Sequence, residues 1–252
     1  MASTDLMDAK VPKEKPSFGL ASILSGLLCT AHAYFLYNRY SLAMSTPAID
    51  PAELLYDPII HYAEIRLGLY FPQFPITLPL LYLASIYFLT WFVRGTGKTF
   101  SMAEPMAVYN LYATLLSAVM FVLFFQRFWV RGQEELERGG NPVLYFLKPG
   151  DKDFNLWLGA MILNYHSKYI EYADTVFMIL KGNFNQVNDL HVIHHFEMGP
   201  IMYIVTLIGF GGSMSLGPMI NSFVHFLMYR ECHPPTHAQI LPLHAPLTLP
   251  SL

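Results

Sequence analysis

Apolar residues run almost unbroken through residues 75–93, 106–125, 154–180, 187–210 and 213–229. Each stretch is long enough for a helix to cross a bilayer, which takes about 20 residues. Arg94 and Lys98 close the first stretch, and Arg127 and Arg131 close the second. Tyr82, Trp91, Phe128, Trp129 and Tyr229 fall near span ends, where aromatic side chains favour the membrane–water interface. This pattern predicts an all-α integral membrane protein, a multi-helix transmembrane bundle with five clear spans. Residues 18–37 form a further apolar segment, rich in Ser, Ala and Gly and preceded by Lys10, Lys13 and Lys15. It fits a membrane anchor and, with Ala31-His32-Ala33, a cleavable signal about equally well. Residues 38–75 read as a mixed connector, perturbed by prolines. The polar run from Gln133 to Arg138 reads as a loop that ends in the Gly139-Gly140 turn signal. Three regions result: residues 1–75, an N-terminal segment; 76–230, a transmembrane core; and 231–252, a tail with five prolines and three histidines and no span-length apolar run.

Composition narrows the picture further. The chain is 54% hydrophobic and 13% charged, against about 25% charged in a soluble domain. Its net charge of −3 comes without a long basic tract, which argues against a nucleic-acid partner. The two cysteines, Cys29 and Cys232, form neither a disulfide framework nor a zinc pattern. Neither lies near the polar clusters in sequence, so a cysteine nucleophile is disfavoured.

Ionisable groups are costly inside a membrane and mark function when they cluster there. At about 100° per residue, Asn164, Lys168, Glu171 and Thr175 share a face of the third span, with Asp174 about 60° further round. Lys168 and Glu171 at i,i+3 can pair, and a structural salt bridge is the plainer account of those two alone. A stripe of four or five polar groups reads better as the lining of a wet cavity, because desolvation offsets most of what a buried pair gains. His191, His194 and His195 lie within roughly 100° of one helix arc. Asn221 and His225, with Tyr229 one turn on, form a third stripe.

His-x-x-His-His also occurs in membrane di-iron oxidases, which carry several such boxes and roughly eight ligands. The spans here supply one box, so a metal-dependent lipid oxidase is the weaker reading, and metal analysis of the purified protein tests it. The three stripes together are more specific. Lys168-Tyr-Ile-Glu171-Tyr-Ala-Asp174-Thr175 resembles the K-x-x-E-x-x-D-T box of the ELO family of fatty acid elongases. His191-Val-Ile-His194-His195 resembles its H-x-x-H-H box, and Asn221-Ser-Phe-Val-His225-Phe-Leu-Met228-Tyr229 its N-x-x-V-H-x-x-M-Y box. Order and spacing agree, and Tyr109-Asn110, residues 176–181, Gln186 and Gly211-Gly212 are similar too.

The resemblance covers residues 76–229. It implies a fold of seven membrane helices, six of them around an acyl tunnel, in the endoplasmic reticulum membrane. It also implies a condensing enzyme, a 3-ketoacyl-CoA synthase, that joins long-chain acyl-CoA to malonyl-CoA with loss of CO2. In that reading His191, His194, His195, Asn221 and His225 are catalytic, and Lys168, Glu171, Asp174 and Tyr229 bind substrate. No metal or other cofactor is expected. The partners are the two CoA thioesters, membrane lipid and other elongation-cycle enzymes or a second copy of the chain. The third box breaks off after Tyr229, where the family continues into two more tyrosines and two further helices. The chain therefore reads as a C-terminally truncated member, and an inactive elongase-like protein that acts by association is the alternative.

Overall fold

The computed structural model describes residues 19–45, 74–145, 153–208 and 212–231. Among these residues the secondary structure is helical throughout. The helices are α1 (Leu20–Ser45), α2 (Phe74–Thr96), α3 (Ala103–Glu137), α4 (Phe154–Ile170), α5 (Tyr172–Leu180), α6 (Asp189–Ile208) and α7 (Gly212–Glu231), with a 3-10 turn at Phe184–Gln186. Of the connector expected at residues 38–75, residues 38–45 are helix in α1 and 74–75 begin α2, and Glu231 of the expected tail ends α7; residues 46–73 and 232–252 lie outside the described residues. Three helices, α1, α2 and α3, combine the length and the apolar character needed to cross a membrane. Their outer faces carry exposed Leu24, Leu27, Tyr87, Trp91, Leu115 and Val122, while Ser22, Ser25, Asn110 and Ser117 are buried. Apolar side chains facing out and small polar ones facing in are what lipid solvent selects, since small residues let helices approach closely.

Helix α4 is the centre of the bundle: every residue from Trp157 to Lys168 is buried. It packs on α1, α3 and α6, while α2 lies against α5 and α6 and α3 lies along α7. The Trp157 indole N–H donates to Ser215 Oγ at 2.7 Å and pins α4 to the start of α7.

Three local differences from the sequence expectations have physical causes. Of residues 18–37, which suited an anchor and a signal peptide equally, residues 20–37 belong to α1, an integral helix of the bundle. Ser22 Oγ donates to Glu104 at 3.1 Å and Ser25 Oγ to the Pro105 carbonyl at 3.0 Å. Further along, His32 Nδ1 meets Tyr112 Oη at 2.6 Å, and Phe35 packs edge-on against His166. Second, the polar run after residue 132 is helix, not loop. Arg131 pairs with Glu134 and Glu135, and Arg138 with Glu135, at the i,i+3 and i,i+4 spacings that extend a helix into water. The chain turns only at Gly139, whose φ of 73° suits glycine. Third, the stretch 154–180 is divided at Glu171. There the Asp174 N–H bonds to the Glu171 carbonyl at 3.1 Å, an i,i+3 tightening of the kind that often marks a functional segment.

Candidate active site

The turn at Glu171 sets the charged stripe across two helices. Lys168, on the last turn of α4, is 2% exposed, and its ammonium donates to Glu171 Oε1 at 2.6 Å and to Asn221 Oδ1 at 2.7 Å. Ser167 Oγ donates to the same carboxylate oxygen at 3.3 Å, and His225 Nδ1 lies 3.6 Å from it. A buried charge pair of this kind holds only when its remaining hydrogen-bonding capacity is met. Ser167 of α4 and Asn221 of α7 supply part of that here, with His225 close by on α7.

Helix α5 carries the second half of the stripe. The Asp174 carboxylate accepts from Tyr229 Oη at 2.6 Å, and Tyr229 Oη lies 3.3 Å from Tyr109 Oη on α3. Thr175 Oγ1 lies 2.8 Å from His191 Nε2 and 3.0 Å from Tyr82 Oη on α2. The first turn of α6, which carries His191, is fixed by Asn188, whose side-chain oxygen accepts from the His191 N–H at 2.8 Å. This is an N-cap bond, satisfying a donor that the helix start leaves free. The His191 and His195 rings are 4.5 Å apart, and the His194 and His195 rings 5.6 Å apart.

These side chains enclose a cavity of about 430 Å³. His191, His194, His195, His225, Asp174 and Tyr229 all line it, with Asn110 opposite and Lys181, Asn183 and Gln186 at the loop end. The structure thus gathers residues from all three boxes around one space. Lys168 and Glu171 are not on its wall: Glu171 lies 3.6 Å from His225, which is, and Lys168 is bonded to Glu171 and Asn221. Asn221 borders a second cavity of about 310 Å³, lined by Asn164, Met198, Ile201, Met202, Val205, Met214 and Pro218. Asn221 thus joins Lys168 to the wall of this second cavity.

Sequence reasoning missed Tyr82 and Asn188. Tyr82 reads as an interfacial aromatic, yet it is buried against Thr175. Asn188 was legible: an Asn three residues ahead of the first histidine of an apolar run is an N-cap signal.

The ELO family model, described as the GNS1/SUR4 family, matches residues 69–230. The chain belongs to the ELO family. Among curated relatives, very long chain fatty acid elongase 2 of Rattus norvegicus is 33% identical over 164 residues, covering 64% of this chain and 54% of the relative. Fatty acid elongase 4 of Trypanosoma brucei brucei is 34% identical over 151 residues, covering 60% and 54%. Very long chain fatty acid elongase 5 of Bos taurus is 36% identical over 134 residues, covering 53% and 42%. The chain spans about half the length of these relatives. Membership of the ELO family agrees with the all-helical membrane architecture described above.

Proposed function

We propose that this ELO-family chain carries the condensing site of fatty acid elongation, joining a long-chain acyl-CoA to malonyl-CoA with release of CO2. The observation that supports it is the convergence of four histidines, from α6 and α7, on one cavity, while Asn221, one helical turn before His225, borders a second, methionine-lined one. The reaction needs an activated acyl group, an enolate, and donors for the oxyanions that form. Imidazole is a competent covalent nucleophile where no thiol is at hand.

In the proposed sequence a ring nitrogen of His194 or His195 attacks the acyl thioester carbon. The tetrahedral oxyanion collapses, CoA leaves as its thiol, and an acyl-imidazole remains. Malonyl-CoA then loses CO2, and the electron pair of the broken C–C bond becomes the enolate. The enolate carbon attacks the acyl-imidazole, the imidazole departs, and the 3-ketoacyl-CoA is two carbons longer. Asn221 and His225, held by Lys168 and Glu171, stand where they can stabilise the enolate. Asp174 and Tyr229 contact substrate from the opposite wall, and the apolar cavity beyond Asn221 receives the acyl chain. The protein works as a multi-pass protein of the endoplasmic reticulum membrane, beside the other enzymes of the cycle.

Malonyl-CoA-dependent chain extension in microsomes expressing the chain tests this reading. His194→Ala and His195→Ala are expected to lower kcat/KM by about a thousand-fold or more, as when a nucleophile or its base is removed. Mass spectrometry under turnover is expected to find an acyl adduct on one of these two histidines. Extension without any adduct leaves a general-base role for the box and rejects the covalent route. Absence of extension in well-expressed protein rejects the enzyme reading in favour of action by association.

A further inference from the structure

Helix α2 sends one polar group into the site, the hydroxyl of Tyr82, and the condensation sequence assigns it no part. Tyr82 is 3% exposed, and its ring stacks on Tyr172 with centroids 4.3 Å apart. Its Oη lies 3.0 Å from Thr175 Oγ1, which in turn lies 2.8 Å from His191 Nε2. A hydrogen-bonded line therefore runs from α2 through α5 to the histidine box on α6. Thr175 is fully buried. Among the described residues, Tyr82 Oη has no other hydrogen-bond partner than Thr175, and Thr175 Oγ1 none beyond Tyr82 and His191.

That isolation fixes the direction of the line. A phenol and an alcohol each hold one proton, and a neutral imidazole holds one on either nitrogen. In one arrangement Tyr82 donates to Thr175, Thr175 donates to His191 Nε2, and the imidazole proton sits on Nδ1. In the other, His191 Nε2–H donates to Thr175, Thr175 donates to Tyr82, and the Tyr82 proton is left buried with no acceptor. A third option, in which both Tyr82 and His191 donate to Thr175, strands the Thr175 proton instead. A buried donor without a partner is costly, so the first arrangement is favoured over both others. His191 lines the cavity, and its Nδ1 is engaged by no protein group among the described residues.

We infer that Tyr82 and Thr175 are positioning residues that hold His191 as its Nδ1–H tautomer. His191 then meets the substrate as a hydrogen-bond donor, not as the base or nucleophile. This rests on the condensation reading for its chemistry. The group that His191 Nδ1–H serves is an oxygen that gains negative charge, either the thioester carbonyl oxygen during acyl transfer or the enolate oxygen after decarboxylation. Nucleophilic or basic work is left to His194 and His195, whose rings no comparable line restrains among the described residues.

The test combines kinetics with a direct view of the imidazole. Tyr82→Phe keeps the stacked ring and removes only the hydroxyl, and Thr175→Val keeps the shape of Thr175. Each is expected to lower kcat of chain extension about ten- to hundredfold with KM for acyl-CoA unchanged, as for a mis-set oxyanion donor. The double variant is expected to be no slower than Thr175→Val alone, because one line has been cut twice. Thr175→Ser is expected to restore most of the rate. Solid-state nitrogen-15 spectra of histidine-labelled protein, compared with His191→Gln, are expected to show His191 protonated on Nδ1 in the parent chain and a mixture of tautomers in Tyr82→Phe. Full activity of Tyr82→Phe, multiplying losses in the double variant, or a His191 protonated on Nε2 in the parent chain overturns the inference. If the parent chain extends nothing, it is the condensation reading that fails, and the nitrogen spectrum still decides the tautomer.

Discussion

Lys168 is the residue on which the stability of the site turns. Its ammonium and the Glu171 carboxylate are both buried, 2.6 Å apart, with Asn221 as the second acceptor. Removing one partner leaves the other charge buried and unpaired, at a cost of about 3–5 kcal/mol. Lys168→Met is therefore expected to lower strongly the yield of folded protein and its melting temperature in detergent. Adding Glu171→Leu is expected to recover most of that loss, since an apolar pair of similar volume is often no less stable. Chain extension is expected to stay lost in the double variant, because Asn221 and His225 no longer have the groups that hold them. Recovery of both stability and activity would make the pair a mere lock between helices. The pairing was legible from the i,i+3 spacing alone; a common face with Thr175 was not kept, because the helix divides at Glu171 and Thr175 bonds α2 and α6 while Lys168 bonds α7. Which side of the cavity wall each occupies was not legible, because that depends on how α7 lies against α4. Tyr82 was illegible for a similar reason. No sequence period says that an aromatic near a span end turns inward onto a helix 93 residues away.

At the scale of the helices, the close approach of α1 to α4 depends on one missing side chain. A Cβ at Gly159 would lie 2.8 Å from the Tyr40 ring of α1, nearer than real Cβ atoms come. Gly159→Leu is expected to push α1 off the bundle, at the roughly 1–3 kcal/mol typical of overpacking. Thermal melts and limited proteolysis of the α1–α2 connector would show it, and adding Tyr40→Ala is expected to relieve it. No rescue by Tyr40→Ala would place the strain elsewhere. The same packing predicts that α1 is retained, so the intact mass of the purified protein should include residues 20–45. A product that starts after Ala33 would contradict the hydrogen bonds of Ser22, Ser25 and His32. Sequence pattern found α2, α3, α6 and α7 as helices from their apolar runs, although among the described residues only α2 and α3 of these are both long and apolar enough to cross a membrane. It could not choose between anchor and signal for α1, since both need the same apolar run, and what separates them is contact with α3 and α4. It also ended α3 too early. Hydropathy falls when a helix leaves the membrane, whereas the ion pairs of Arg131 and Arg138 let the helix continue.

For the whole molecule, the direction of each helix fixes where the site opens. The first turns of α1 and α3 touch, through Ser22–Glu104 and Ser25–Pro105, so both helices start at the same end. The loop between α2 and α3 is tied to the end of α5 by the Phe100 N–H, which bonds to the Leu180 carbonyl at 2.9 Å. That end also carries Lys181, Asn183 and Gln186, which rim the cavity. The Arg127–Asp153 pair and the Gly139 turn lie at the opposite end. CoA carries several phosphate charges and does not cross a bilayer unaided, since charge is expensive in hydrocarbon. For the proposed reaction, the loop of residues 181–188 must therefore face the compartment that supplies CoA thioesters, and the loop of residues 139–145 must face away from it. In sealed, right-side-out microsomes of a Cys29→Ser, Cys232→Ser background, Asn185→Cys is expected to react with a membrane-impermeant maleimide at once. Leu144→Cys, on the far loop, is expected to react only after the membrane is opened. The reverse order would put the histidine cavity on the side without CoA thioesters, and a condensing role could not stand on any arrangement of the residues within it.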